Sequence, residues 1–123
     1  MQIIFQSRDN ILIVKLIGEL DHHGAEQIRE KIDNKIISSN SKSLILDLSE
    51  LKFMDSSGIG IIIGRYKVIS SVGGKLYIVC PSKSINKLIR MCSIEKIIVI
   101  KDTLDEIYET ITKEKVQKWE KIV

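Results

Sequence analysis

The alternation of two kinds of apolar segment is the feature that most constrains the fold of this chain. Short, continuous apolar runs alternate with longer stretches in which apolar residues recur every three or four positions. The short runs are residues 11–17, 44–48, 76–80 and 97–100. The longer stretches are residues 22–39, 57–70, 82–91 and those from 104 onward. Continuous runs indicate strands covered on both faces and the longer spacing indicates helices, so their order predicts an α/β fold.

A further strand precedes this alternation. Residues 2–6 form a run with strand character, and the polar residues 7–10 that follow are typical of a turn. The first two strands are therefore predicted to form a hairpin, which makes the sheet mixed. We expect one domain, residues 1–123, in which a single-layer mixed sheet packs against about four helices.

Two expectations concern burial. The isoleucines at positions 59, 61, 62 and 63 make the first half of the stretch 57–70 apolar on almost every side, so this helix is predicted to be the buried central one. Cys80 and Cys92 show no CxxC spacing and no histidine lies near them. They are predicted to be two buried thiols rather than a disulfide or a zinc site.

The composition of the chain argues against nucleic acids and membranes as partners. The net charge of +3 and the aromatic content of 5% are too low to predict a nucleic-acid surface. No segment approaches the roughly 20 apolar residues that cross a bilayer, and the first ten residues lack the pattern of a signal peptide. We expect a cytoplasmic protein that does not contact the membrane. Residues 113–123, with Trp119, are predicted to be a basic extension of the last helix that frays.

The segment FMDSSGIG, residues 53–60, lies where a strand passes into the central helix. Asp55, Ser56 and Ser57 suit a helix N-terminus, and capping alone would account for them. A phosphate on a serine at this place would also be stabilised by the first-turn amides and the helix dipole. We predict that Ser56 lies at the end of the loop and that Ser57 lies nearer the N-cap.

Two enzymatic interpretations of this segment each lack a required feature. Gly58, Gly60 and Gly64 form a GxGxxxG pattern, but it does not follow the first strand and no acidic residue closes the next one, as dinucleotide binding requires. A hydrolase nucleophile elbow needs a glycine two residues before the serine, and Asp55 stands there before Ser57. Neither activity is predicted.

Two metal-dependent interpretations are equally incomplete. A phospho-accepting receiver domain could use Asp47 or Asp55, but no acidic pair follows the first strand to hold magnesium. His22 and His23 are adjacent, so on a helix they point about 100° apart and at most one would serve a given metal site. We therefore predict no catalytic group, no metal and no cofactor.

Three blocks together resemble a known family. They are GELDHH at residues 18–23, FMDSSGIG at residues 53–60 and GRYK at residues 64–67. The chain resembles anti-sigma factor antagonists with a STAS domain, most closely the sporulation sigma-F type, over about residues 2–110. Ile59 stands where leucine is usual in that family.

The resemblance implies a STAS-like fold and a non-enzymatic regulator. It implies a partner that is both an anti-sigma factor and a serine kinase, which binds its nucleotide itself. The kinase would phosphorylate the first serine of the DSSG motif, Ser56, and a PP2C-type phosphatase would remove the phosphate. The implied partner-binding residues are Asp21, His22, His23, Asp55, Ser56, Ser57 and Gly58. The alternative that stays open is a STAS module in a stress-response or other partner-switching pathway.

Overall fold

A computed structural model describes the backbone of residues 1–122 and the side chains of residues 1–117. In this part of the chain the strands are β1 (Gln2–Arg8), β2 (Ile11–Leu20), β3 (Ser43–Met54), β4 (Lys75–Val79) and β5 (Val99–Lys101). The helices are α1 (His22–Ser39), α2 (Ser56–Ser71), α3 (Lys83–Met91), α4 (Leu104–Ile122) and a short 3-10 helix, Ile94–Lys96. The predicted order of a hairpin followed by alternating helices and strands is confirmed.

The strands form one mixed sheet in the order β1-β2-β3-β4-β5. β1 and β2 are antiparallel, and the other neighbours are parallel, as the predicted hairpin requires. The turn is shorter than predicted, because Ser7 and Arg8 still pair with β2 and only Asp9 and Asn10 lie between the strands. Asp9 has a φ of 55°, the positive value that two-residue hairpin turns favour.

β3 is much longer than the predicted strand of residues 44–48. Its second half contains Ser49, Glu50 and Lys52, whose polarity interrupts the apolar run from which the strand was predicted. This half still pairs with β2, with register shifts in the ladder, whereas β4 pairs only with residues 43–47. The end of β3 therefore projects beyond β4.

Both faces of the central strands are covered, as the continuous apolar runs predict. On one face Leu12 and Val14 lie in a core cluster with residues of α1, α2 and α3. On the other face Ile11 and Ile13 lie in a second cluster with Ile107 of α4. Alternate residues of a strand point to opposite faces, so β2 contributes to both clusters.

The predicted burial of α2 is confirmed in part, because Ile59, Ile61 and Ile62 are buried but Ile63 is 36% exposed. Two other local predictions are wrong. Cys92 is exposed, because it follows the last residue of α3 where the chain leaves the core, whereas Cys80 is buried as predicted. The strand predicted at residues 97–100 begins only at Val99, because the 3-10 helix before it leaves Ile97 57% exposed.

The last helix continues past residue 112 to Ile122, as a helical extension would. The fraying of residues 113–123 stays a prediction, and the side chains from residue 118 onward, including Trp119, lie outside the described residues. In the described part of the chain, no helix combines the length and apolar character that crossing a membrane requires.

Candidate functional site

The ends of β2 and β3 bring the first two motif blocks together. Leu20 and Met54, the last residues of these strands, are partners in the parallel ladder. The N–H of Asp55 also donates to the carbonyl oxygen of Leu20 at 3.4 Å. Neighbouring strands lie about 5 Å apart. Asp21 and Asp55, the next residue in each case, are therefore neighbours at one edge of the sheet.

Asp21 forms the N-cap of α1, as its position in the sequence predicts. Its backbone is extended, and Oδ1 accepts a hydrogen bond from the N–H of Gly24 at 2.8 Å. The side chain satisfies one of the amides that the first turn leaves without a partner in the helix. The carboxylate is half-buried, so part of it remains available to solvent or to a partner.

The two histidines that follow are exposed on the first turn of α1. Nε2 of His22 lies 3.1 Å from Oε1 of Glu26, and Nε2 of His23 lies 3.1 Å from the side-chain nitrogen of Gln27. Each imidazole thus has its own neighbour one turn along the helix. Within the described residues, no group of three or more His, Cys, Asp or Glu side chains is arranged to hold a metal ion.

Asp55 forms the N-cap of α2 in the same way. Its Oδ1 accepts a hydrogen bond from the N–H of Ser57 at 2.8 Å, and its carbonyl accepts one from the N–H of Gly58 at 3.0 Å. Ser56 is the first residue of the helix, and its side chain is exposed. The predictions that Ser56 lies at the end of the loop and that Ser57 lies nearer the N-cap are both wrong, because Asp55 is the N-cap, Ser56 follows it as the first helical residue and Ser57 donates its N–H to the cap.

Two glycines let these helices begin directly against the strand ends. A Cβ on Gly24 would lie 2.6 Å from the carbonyl oxygen of Glu19, and a Cβ on Gly58 would lie 2.2 Å from Cγ of Met54. Neither distance is possible for a real Cβ, so the first turns sit closer to the strands than any other residue allows. Gly58 is therefore explained by packing, whatever its part in binding.

A cavity of about 310 Å³ opens beside Asp21. It is lined by Met1, Gly18, Glu19, Asp21, His23, Gly24 and Gln27. Our site prediction did not include Glu19, although it lies in the GELDHH block, or Gln27, which lies outside the three blocks. In the sequence, Gly18 was the available signal for this cavity, because glycine within a strand often marks a bulge. In the structure, Gly18 has a φ of 115° and lies next to a register shift.

Phe53 is a second residue that the site prediction missed. It stands two residues before Asp55, pairs with Glu19 in the sheet and is 47% exposed. The available signal was an aromatic side chain within a motif block, since aromatic residues are enriched at the centres of protein interfaces.

We call the seven predicted partner-binding residues the motif edge: Asp21, His22, His23, Asp55, Ser56, Ser57 and Gly58. The structure brings all of them to the adjoining starts of α1 and α2. Apart from the cavity beside Asp21 and His23, the motif edge is an open surface. A larger cavity of about 640 Å³ lies along α3, with Lys83, Lys87 and Arg90 in its wall, and contains none of these seven residues. An exposed surface of this kind suits contact with another protein more than enclosure of a small molecule.

The blocks that form the motif edge lie within residues 2–107, which match the STAS domain family. The chain belongs to this family. The STAS domain is 38% identical over 102 residues to the anti-sigma F factor antagonist of Paenibacillus polymyxa, covering 83% of the chain and 87% of the relative. It is 27% identical over 95 residues to the anti-sigma-B factor antagonist of Bacillus subtilis, covering 77% and 85% respectively.

The fold of the STAS domain agrees with a solved relative. The Bacillus cell fate determinant SpoIIAA in its phosphorylated form superposes with a TM-score of 0.70 at 29% identity, covering 89% of this chain and 99% of that one. The STAS-like fold and the resemblance to anti-sigma factor antagonists are thereby confirmed. The individual roles of the motif-edge residues stay predictions.

Proposed function

We propose that this STAS protein is an anti-sigma factor antagonist whose binding is switched off by phosphorylation of Ser56. The observation that carries the proposal is the arrangement of Ser56, an exposed hydroxyl on the first residue of α2, beside the Asp21 cap of α1. The unphosphorylated motif edge would bind an anti-sigma factor that is also a serine kinase, and so free the sigma factor. The protein itself would catalyse nothing.

A phosphate at Ser56 is compatible with the free domain. The exposed side chain leaves room for the group, and the N-terminus of α2 favours negative charge. The carboxylates of Asp55 and Asp21 oppose it, and both effects are partly screened at the surface. The phosphate adds about −1.5 to −2 charges to the motif edge. A surface that fits its partner without this charge would therefore lose the partner without unfolding.

The remaining parts of the cycle follow from the same proposal. A PP2C-type phosphatase would remove the phosphate and restore binding, and the cycle would run in the cytoplasm. The sigma-F sporulation pathway is favoured, because identity to the sigma-F relative is 38% and identity to the sigma-B relative is 27%. A stress-response or other partner-switching pathway is the second candidate, supported by the sigma-B relative.

Incubation with ATP and the anti-sigma factor kinase of the same organism, followed by intact-mass measurement, tests this proposal. We expect a mass gain of one phosphate, lost in Ser56→Ala and kept in Ser57→Ala, which serves as the matched control. Peptide mapping that placed the phosphate on Ser57 would contradict the assignment. Comparing capture by the sigma-F and sigma-B anti-sigma factors distinguishes the two pathways.

A further inference from the structure

Arg65, from the GRYK block, is buried between α1 and α2 and has no part in the proposed docking. It is only 5% exposed. Its Nε lies 2.7 Å from Oδ1 of Asp33 on α1, and its Nη2 donates to Oδ2 at 3.3 Å. Burial lowers the pKa of the Arg65 guanidinium and Asp33 opposes that effect, so the group stays charged. The pair joins the helices through one hydrogen bond, from Nη2 to Oδ2, and one close ionic contact, between Nε and Oδ1, that lacks hydrogen-bond geometry.

The rest of this helix layer is built largely from isoleucine. Apolar contacts have no preferred direction, and a core of similar side chains tolerates small shifts at low cost. A charge-assisted hydrogen bond between a guanidinium and a carboxylate has a preferred direction and length, unlike an apolar contact. The isoleucines that α1 and α2 contribute to the shared cluster are Ile28, Ile32, Ile36, Ile59, Ile61, Ile62 and Ile69. The ion pair is therefore the directional contact within an otherwise non-directional interface.

The position of the Asp33–Arg65 pair along α1 and α2 allows it to affect the orientation of both helix starts. α1 and α2 both follow parallel strands, so they start at the same edge and run in the same direction. Asp33 and Arg65 lie roughly 15 Å from those starts at the helical rise per residue. Gly24 and Gly58 allow the first turns to pack against the strand ends, and the hydrogen bond from Asp55 to Leu20 ties the start of α2 to the end of β2. A second fixed point further along each helix then determines tilt as well as position.

We propose that the pair of Asp33 and Arg65 is a positioning pair that sets the separation of Asp21 and Ser56. Its consequence for partner binding rests on the function proposed above. Arg65 is buried, whereas the Asp33 side chain is 27% exposed. An apolar pair of similar volume is often at least as stable as a buried ion pair, so stability alone does not account for this partly buried one. If the pair sets position, replacing it with apolar residues leaves a stable protein with a misaligned motif edge.

The test is the double variant Asp33→Leu with Arg65→Met. We expect a melting temperature equal to or above that of the wild type, because no charge is left buried alone. We expect kcat/KM for phosphorylation of Ser56 to fall by about 100-fold, the scale that a displacement of about 1 Å can produce. The amide chemical shifts of Gly24 and Ser57, which report both caps, should change as well.

The surface pair of Lys15 and Glu50 supplies the matched control. Nζ of Lys15 lies 3.4 Å from Oε1 of Glu50, and both side chains are solvent-accessible. Lys15→Met with Glu50→Gln removes a solvent-exposed ion pair between β2 and β3, away from α1 and α2, so it controls for the loss of an ion pair as such. This control should leave stability, phosphorylation and both amide shifts unchanged.

Wild-type phosphorylation and wild-type amide shifts in a folded Asp33→Leu, Arg65→Met protein would overturn the positioning role. Should that variant not fold, Arg65→Lys decides, since it keeps the charge but only one contact point. We then expect part of the same loss, and an unchanged variant overturns the proposal. If the wild type itself is not phosphorylated, the proposed function fails, and the amide shifts alone decide the positioning role.

Discussion

The two helix starts at the motif edge use one capping device with different residues after it. Asp21 and Asp55 each accept a first-turn N–H at 2.8 Å from an extended backbone. After Asp21 come two exposed imidazoles and a cavity, whereas after Asp55 comes the exposed hydroxyl of Ser56. The cap fixes the geometry in both cases. The residues after it make the α1 start suited to recognition and the α2 start suited to modification.

Charge at the α2 start should have the largest effect on binding. We expect phosphorylation of Ser56, or Ser56→Asp, to weaken capture of the anti-sigma factor by several kcal/mol, the cost of a misplaced charge at a complementary interface. The melting temperature should change little, because the helix dipole and the neighbouring carboxylates act in opposite directions. Titration calorimetry and thermal melting check both parts. Tight binding by Ser56→Asp, or a melting drop of many degrees after phosphorylation, would contradict the switch.

Charge at the α1 start should have the next largest effect. Asp21→Asn keeps an oxygen that can accept the Gly24 N–H, so stability should remain close to that of the wild type. Loss of the carboxylate should weaken kinase binding by about 2 kcal/mol or more, as for a buried interfacial charge partner. Asp9→Asn in the distant hairpin turn is the control and should bind normally. Unchanged affinity for Asp21→Asn would reduce Asp21 to an ordinary cap.

Alanine substitutions at the glycines of the two helix starts should lower the free energy of unfolding by different amounts. Gly24→Ala places its Cβ against backbone and Gly58→Ala against the Met54 side chain, so overpacking should cost about 1–3 kcal/mol, more at Gly24. Gly60→Ala is the matched control, because nothing lies within 4 Å of its Cβ position. It should stabilise α2 by about 0.5–1 kcal/mol through helix propensity. Urea unfolding measures the free energy of unfolding of all three variants. Equal changes for Gly58→Ala and Gly60→Ala would contradict the close packing of α2 against Met54.

The smallest expected effect is a difference in stability between alanine variants of Asp55, the cap of α2, and of Ser57. Asp55→Ala should lower the free energy of unfolding by about 1 kcal/mol, because the Ser57 N–H loses its acceptor. Ser57→Ala should change it by a few tenths of a kcal/mol at most, since Ser57 donates through its backbone. A larger loss for Ser57→Ala than for Asp55→Ala in chemical denaturation would reverse the assignment of the cap.

Local signals explain which parts of the fold were predictable. The bounds of α1 agree with the prediction, because Asp21 caps its start and Asn40, with a φ of 53°, ends it in the left-handed conformation. The second half of β3 was missed, because its ladder partner on β2 supports it where its own sequence turns polar. Such support is tertiary and leaves no periodic trace in the strand itself.

The site residues that belong to the motifs could be predicted from the sequence. The contacts that form between separate elements of the fold could not. The resemblance identified Asp21 and Ser56, and the parallel ladder brings them to one edge. The cap role given to Ser57 was wrong because Asp and Ser are both good caps, and only the backbone conformation separates them. The contact between Asp33 and Arg65 joins two helices, and no local pattern in either one reveals it.

The projection of β3 beyond β4 divides the sheet into two parts with different hydrogen-exchange behaviour. Up to Asp47 the strand has partners on both sides, but beyond it only residues 50, 51, 53 and 54 are paired, and they pair with β2 alone. The carboxylate of Asp47 accepts the N–H of Ser49 at 3.0 Å where the ladder to β4 stops. Amides beyond that point depend on fewer strand contacts, so they should exchange through small local openings rather than global unfolding.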